Sequence, residues 1–131
     1  MSSIFTKIVN GEIPCYKIFE NEKFLAFLDV FPLVIGHILV IPKKETDYIF
    51  DMDDIALAEM VVFAKFVAKG QKKAVKCKRI GVAVIGLEVP HAHIHLVPMN
   101  TSNDLNFTQP KLKPSQDELI TMAQKIRSEF Q

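Results

Sequence analysis

The chain divides into short apolar runs separated by polar or turn-forming residues. Five of these runs predict β-strands: residues 16–20, 24–30, 37–41, 80–85 and 91–98. The first two are joined by the polar stretch 21–23, which predicts a β-hairpin. Residues 4–9 mix apolar side chains with Lys7 before an Asn-Gly turn signal, so they fit a short helix or turn as well as a strand.

A long helix is predicted over residues 53–69. Asp53 and Asp54 stand at its start, where the helix dipole favours negative charge, and Gly70 is a possible stop. Its apolar residues cover far more than the stripe of roughly 100° that packing on one sheet requires. The surplus predicts a second buried face, and we expect a homodimer to cover it. The alternative is that the C-terminal segment of the same chain covers it.

The C-terminal part contains a connection and a second helix. Residues 100–114 are polar and turn-rich, which indicates a surface connection. Ser115 and Glu118 have the spacing of a capping box and predict a helix start. The apolar residues that follow at helical spacing are Leu119, Met122, Ala123, Ile126 and Phe130.

Length and composition indicate one globular domain over residues 1–131. Hydrophobic residues make up 49% of the chain and include ten Phe, enough for a substantial core. Sixteen basic against fifteen acidic residues leave no global field that would attract nucleic acid or a membrane. We find no secretion signal and no apolar segment of roughly 20 residues, and therefore expect a cytoplasmic protein without membrane partners. Cys15 and Cys77 are expected to be free thiols.

Three of the four histidines stand at alternate positions in the last predicted strand. On a strand, this spacing places His91, His93 and His95 in one row, with the apolar residues between them on the opposite face. Chelation of one metal ion by all three is unfavourable, since the outer two are roughly 13 Å apart on an extended strand. Two of them could still bind zinc with a ligand from elsewhere. The row could also be no more than a solvated polar face.

Nucleophilic catalysis at a phosphate is the third interpretation of this row. A neutral imidazole can attack phosphorus, and flanking imidazoles can donate hydrogen bonds to the phosphoryl oxygens. The middle residue, His93, is then the natural attacker. The same row could bind phosphate without turnover. Taken alone, Asp29 is more typical of a turn-capping residue than of a functional one. His37, taken alone, is more typical of a structural residue than of a catalyst.

The histidine row resembles the signature of the histidine triad (HIT) superfamily of nucleotide hydrolases and transferases. Other stretches resemble that family in the same order: Ile4-Phe5 with Lys7-Ile8, Asn10-Gly11-Glu12-Ile13-Pro14, Phe24-Leu25-Ala26-Phe27-Leu28-Asp29 and Gly36-His37-Ile38-Leu39-Val40-Ile41-Pro42-Lys43. The similarity covers residues 3–98, and residues 101–131 form a C-terminal extension with a helix.

The resemblance implies a fold and a set of roles. The fold is α+β: a five-stranded antiparallel sheet with one long and one C-terminal helix, continued across a homodimer. His93 would attack the α-phosphorus, His95 would contact phosphate oxygens, and the carbonyl of His91 would orient the attacking ring. His37 would sit beside the triad as the family's fourth histidine, and Asp29 would bind ribose. The residues implied to line the base pocket are Ile4, Phe5, Ile8, Phe27 and Val30.

The chain departs from the family pattern at two places. Branches with structural zinc have cysteines and a histidine where this chain has Ser3, Thr6 and Glu45, so we expect no metal and no cofactor. Many members have Gln and Ser or Thr where this chain has Leu87 and Glu88. We therefore expect leaving-group preference and rate to differ from those of its relatives.

The resulting expectation is a purine nucleoside phosphoramidase that acts through a nucleotidyl-histidine intermediate. One alternative is a dinucleoside polyphosphate hydrolase. Another is a weakly active nucleotide-binding or interaction module, which the side chains at positions 87 and 88 favour.

Overall fold

The structure, a computed structural model, describes residues 2–131. The strands are β1 (Lys17–Glu20), β2 (Phe24–Leu28), β3 (Ile38–Pro42), β4 (Arg79–Ala83) and β5 (Ile94–Met99). The α-helices are α1 (Ile4–Val9), α2 (Asp54–Ala74) and α3 (Gln116–Arg127). Short 3₁₀ turns cover Ile49–Asp51, Ser102–Leu105 and Ser128–Phe130. None of the helices in the described part has both the length and the apolar composition that crossing a membrane requires.

The strands form one antiparallel sheet in the order β1-β2-β3-β5-β4. The α+β fold with five strands, one long helix and a C-terminal helix is therefore confirmed. The predicted hairpin joins β1 to β2, and the Asn21 side chain accepts hydrogen bonds from the N–H groups of Lys23 and Phe24 at 2.9 and 2.8 Å. This turn fixes the register in which the two strands pair.

The two faces of the sheet differ in what covers them. Alternate residues of the central strands, such as Ala26, Val40 and Leu96, point towards α2 and α3 and form the larger core. The residues between them, such as Phe27 and Leu39, form a smaller core with Phe5 of α1. Because α1 is only six residues long, much of this second face stays open for a cavity.

Helix α2 continues past Gly70, which was expected to end it, and stops at Ala74. A Cβ atom at position 70 would lie 2.5 Å from the ring of Phe130. Glycine there allows the ring of Phe130 to pack against the helix, and a larger residue would displace that ring. The ring of Phe130, in the C-terminal turn, stacks on Phe66 at 5.2 Å but leaves it 47% exposed, and Val61 and Val62 are exposed as well. The C-terminal segment thus covers only part of the surplus apolar face.

The histidine row extends beyond its strand. Strand β5 begins at Ile94, so of the three histidines only His95 belongs to it. The backbone before the strand turns, with the N–H of His91 donating to the carbonyl of Val89 at 2.8 Å. The prediction of one strand carrying all three was therefore wrong, although the intervening Ala92 and Ile94 do enter the larger core as expected.

Side-chain caps begin the helices at both ends of the chain. Segment 4–9, for which the sequence left the type open, is helical, and Ser3 caps it by accepting from the N–H of Thr6. The capping box predicted for α3 is confirmed, since Ser115 and Glu118 exchange hydrogen bonds at 3.1 and 3.0 Å.

Candidate active site

A cavity of about 580 Å³ opens on the sheet face that carries α1. Eight of the ten residues predicted for the site line it: Ile4, Phe5, Ile8, Phe27, Asp29, Val30, His93 and His95. The other two, His37 and His91, are at most 1% exposed and lie behind the wall. This volume is within the usual range for small-molecule sites.

The ring of His93 is held by the backbone of its own segment. Its Nδ1 lies 2.7 Å from the carbonyl oxygen of His91, and a carbonyl can only accept, so Nδ1 carries the proton. The neutral ring then has its lone pair on Nε2, which has no hydrogen-bond partner among residues 2–131. Phe5 packs edge-on against this ring at 5.0 Å between centroids. The result is an oriented imidazole at the cavity wall, with an Nε2 that is free within the described part of the chain.

A hydrogen-bond chain runs from the backbone through His37 to His95. The N–H of Leu33 donates to Nδ1 of His37 at 3.1 Å, so the proton of this ring is on Nε2. That N–H donates to Nδ1 of His95 at 2.9 Å. His95 consequently carries its own proton on Nε2 and can act as a hydrogen-bond donor to a ligand in the cavity.

Burial keeps these rings neutral. Burial, together with the smaller effects of the neighbouring histidines and Lys111, lowers the pKa of His37 to about 3 and that of His95 to about 4. Burial also lowers the pKa of His91, against the opposing effect of its hydrogen bond to the carbonyl of Pro42. Each proton therefore stays on the ring nitrogen that the hydrogen bonds assign.

His91 is fixed through both of its ring nitrogens. Its Nε2 donates to the carbonyl of Pro42 at 2.7 Å, and the hydroxyl of Ser3 donates to Nδ1 at 2.8 Å. Glu45 anchors the same corner by accepting from the Thr6 hydroxyl and from the Ser3 N–H, each at 2.6 Å. These hydrogen bonds, that from Thr6 above all, lower the pKa of Glu45 to about 2. They tie α1 to the residue whose carbonyl orients the ring of His93.

Asp29 follows β2 and faces the cavity. Its Oδ1 accepts from the N–H of Phe31 at 2.9 Å, and its Oδ2 lies 3.8 Å from Nε2 of His37. Burial raises its pKa, opposed by that hydrogen bond and by the charge of Lys111. One carboxylate oxygen thus remains available to accept from a ligand hydroxyl.

Gln71 of α2 joins the histidine strands from the opposite side of the sheet. Its fully buried side-chain amide donates to the carbonyls of Gly36 and Leu96, both at 2.9 Å. These residues adjoin His37 and His95 in sequence. Gln71 therefore fixes the spacing between the two strands whose histidines are hydrogen-bonded.

Comparison with known proteins places this arrangement in a family. Residues 10–102 match the HIT domain. The chain is 34% identical to the adenosine 5'-monophosphoramidase of Schizosaccharomyces pombe over 133 residues, covering 99% of each protein. This chain belongs to the HIT family. Its fold matches that of a HIT-like protein from Bartonella henselae with a TM-score of 0.84 and 30% identity, covering 98% and 96% of the two chains.

Another solved relative, a histidine triad family protein from Mycobacterium smegmatis, is described as Zn-bound. It is 28% identical to this chain, with a TM-score of 0.83, and the match covers 98% of this chain and 93% of the relative. In the present HIT protein, two of the three positions expected for structural zinc, Ser3 and Thr6, do not fit that ion, and the carboxylate at the third, Glu45, accepts hydrogen bonds from both. Ser3 and Thr6 offer neutral hydroxyls, whereas zinc takes thiolate, imidazole or carboxylate ligands. Both hydroxyls are already used in hydrogen bonds to His91 and Glu45. Direct hydrogen bonds hold this corner of the HIT fold together.

One further group in the described part of the chain could offer three ligand atoms to a metal: Asp29, His37 and His95, within 4.8 Å of one another. The two ring nitrogens are 2.9 Å apart and share a proton. Two ligands of a tetrahedral zinc ion at about 2.1 Å stand roughly 3.4 Å apart. The geometry is that of a hydrogen-bond chain.

The cavity also contains residues that the sequence interpretation missed. Phe107 and Lys111, from the connection predicted to be mere surface, line it. The ring of Phe107 lies 4.7 Å from that of His95. A single Phe within a polar segment is a sequence signal of burial, so Phe107 could have been found. Nothing in the sequence distinguishes Lys111 from an ordinary surface lysine. Leu87 and Glu88 also line the cavity, but both are exposed, Leu87 at 90%.

Proposed function

We propose that this HIT protein hydrolyses purine nucleoside phosphoramidates at the α-phosphate. The observation that carries this proposal is His93, with Nδ1 donating to the His91 carbonyl and Nε2 unpartnered at the cavity wall. A neutral imidazole held in this tautomer is a nucleophile without further activation. The name of the Schizosaccharomyces pombe relative, and that of a Saccharomyces cerevisiae relative 36% identical over 96 residues, favours the phosphoramidate substrate.

The proposed reaction has two steps. Nε2 of His93 attacks phosphorus, the P–N bond to the leaving amine breaks, and the amine takes up a proton from solvent. Water then attacks phosphorus, the bond to His93 breaks with its electron pair returning to Nε2, and the water proton passes to solvent. The Nε2–H of His95 donates to a phosphoryl oxygen in both steps and stabilises the developing charge.

The rest of the nucleotide fits the remaining lining. The carboxylate of Asp29 accepts from ribose hydroxyls, since one of its oxygens is not engaged by the backbone. The apolar residues of α1 and β2, including Ile4, Phe5 and Phe27, form the walls for a purine base. With the base against the apolar walls and the ribose at Asp29, the α-phosphate would lie next to His93 and His95.

Loss of the nucleophile tests the mechanism. His93→Gly should abolish turnover of adenosine phosphoramidate and leave the affinity for AMP within about threefold, because the base and ribose contacts remain. Added imidazole should restore part of the turnover by supplying the missing ring. Turnover that survives the substitution without imidazole would contradict the proposal.

The alternatives are separated by the choice of leaving group. A dinucleoside polyphosphate hydrolase would give a higher kcat/KM for diadenosine polyphosphates than for the phosphoramidate. A binding module would show AMP affinity with no turnover of either substrate. The exposed positions of Leu87 and Glu88, which supply no buried polar contact, are the observation that favours this second alternative.

The working form is proposed to be a homodimer with the sheet continued between copies. Large apolar side chains on α2 and the edge strand β4 remain exposed, among them Val62 at 66% and Val82 at 60%. Light scattering after size exclusion should give twice the chain mass. Val62→Glu should shift this to monomer, whereas Lys125→Glu, at an exposed position of α3, should not. A monomeric wild-type chain would overturn the proposal.

A further inference from the structure

The connection between β5 and α3, residues 100–114, folds back over the cavity. Phe107 places its ring 4.7 Å from His95 and 6.5 Å from His37. Further along, the N–H of Leu112 donates to the carbonyl of Pro32 at 2.9 Å. Between these two anchors, Lys111 reaches the cavity lining.

The fixed charges of the cavity make this lysine unusual. Among the lining residues, two carry carboxylates, Asp29 and Glu88, and Lys111 is the one with a permanent positive charge. His93 and His95 line it as well, and the low pKa of His95 leaves that ring neutral. An anionic phosphate that entered without Lys111 would meet only negative fixed charge and be repelled.

The charge of Lys111 is also available to a ligand. Its side chain is exposed, and no carboxylate within residues 2–131 lies within 4.0 Å of its ammonium. Three of the four ion pairs among residues 2–131 use other lysines: Lys17 and Lys43, both with Glu20, and Lys23 with Glu59. The ammonium of Lys111 thus lies at the cavity lining and has no ion-pair partner within residues 2–131. This favours a role in ligand binding over a structural role.

We propose that Lys111 binds the phosphate of the nucleotide, so that the connection 100–114 is part of the binding site. The inference rests on the proposed function. In many family members the polar residues before the histidine row help to hold phosphate, but this chain has Leu87 and Glu88 there. The inference assigns that contact to Lys111, in the segment after the row. It predicts that affinity rises with the negative charge of the phosphoryl group. The ligand class is nucleoside 5'-phosphates and phosphoramidates with a terminal anionic phosphoryl group.

The test compares two lysines of the same segment. Lys113 is exposed, two residues further on, and does not line the cavity. Dissociation constants for AMP and adenosine are measured by calorimetry for the wild-type chain and for Lys111→Met, Lys111→Arg and Lys113→Met. We expect Lys111→Met to weaken AMP binding about tenfold and to change adenosine binding less than twofold. Lys111→Arg should stay close to wild type, and Lys113→Met should change neither constant.

Each contrary result has its own meaning. If Lys111→Met weakens AMP and adenosine equally, the lysine only neutralises Asp29 or supports the fold, and the proposal fails. If Lys111→Met and Lys113→Met affect AMP alike, the effect is one of general charge, and the proposal also fails. If the wild-type chain binds neither ligand, the nucleotide function itself is wrong. Good AMP binding that Lys111→Met leaves unchanged overturns the role of Lys111 alone.

Discussion

The histidines and the loop that precedes them differ in how completely hydrogen bonds fix them. His91 uses both ring nitrogens within the protein, and His37 is held between a backbone N–H and another ring. In the loop, Leu87 is 90% exposed and Gly86 adopts a positive φ of 73°, a tight turn that glycine allows. Interior contacts therefore fix the ring that is proposed to attack, whereas the proposed surroundings of the leaving group belong to an open surface.

The largest effect should come from breaking the interior chain at His37. In His37→Ala, Nδ1 of His95 loses its donor and the ring can take the other tautomer, which removes the donor to phosphate. We expect kcat/KM for the phosphoramidate to fall about 100-fold. His37→Gln, whose amide can still donate, should recover part of the loss. A His37→Ala enzyme within threefold of wild type would show that the chain is not needed.

The same chain should make stability depend on pH. The folded state keeps His37 and His95 neutral because burial lowers their pKa values to about 3 and about 4, whereas the unfolded chain protonates them near 6.5. Their contribution is thus fully present above about pH 6.5 and is lost as the pH falls towards 4.

Each of these histidines should contribute a slope that approaches about 1.4 kcal/mol per pH unit at the acid end of that window. Urea unfolding at intervals between pH 7.5 and 5 measures this slope. His37→Phe should reduce it by removing one titrating group. An unfolding free energy that stays constant over the interval would mean that the rings are solvated in the folded protein.

Substitutions that remove hydrogen bonds to His91 should have a smaller effect on turnover than the loss of His37. Ser3→Ala removes the donor to Nδ1 of His91 and the cap of α1, which should cost about 1 kcal/mol of stability. The carbonyl that holds His93 is then less well placed, so kcat should fall about fivefold with KM nearly unchanged. Ser3→Thr keeps the hydroxyl and should restore both. Equal losses in the Ala and Thr variants would point to packing instead of the hydrogen bond.

The smallest effect is expected in the exposed loop. Leu87→Gln introduces the polar side chain that many family members have there, but on an open surface with no wall behind it. We expect kcat/KM for the phosphoramidate to rise no more than about threefold, and a bulkier leaving group to benefit more than ammonia. A tenfold increase would mean that the loop closes on bound substrate and that its side chains then contact the leaving group.

Local patterns predicted most of the fold. Alternation located the strands and the capping box located α3, because both signals arise among residues close in sequence. The family resemblance added the site residues, of which Asp29 and His93 do line one cavity. Sequence positions alone could not have shown that the cavity would also include Lys111.

The errors arose where distant residues meet. Gly70 was expected to be a helix stop, but its neighbour in space is Phe130, sixty positions away. The row of three histidines was assigned to one strand, yet contacts of His91 with Ser3 and Pro42 hold it before the strand begins. Long-range packing decided each case, and no local signal carries that information.

The amide of Gln71 has a consequence for large-scale mutagenesis. This side chain lies on the helical side of the sheet and does not line the cavity, yet it spaces the strands that carry His37 and His95. In a library selected for turnover, position 71 should therefore reject substitutions as strictly as a lining position. Scored for cellular abundance, Gln71→Leu should also be costly, because the buried carbonyls of Gly36 and Leu96 lose their amide donor, and removal of the Oε1, which is unpartnered within residues 2–131, offsets only part of that loss.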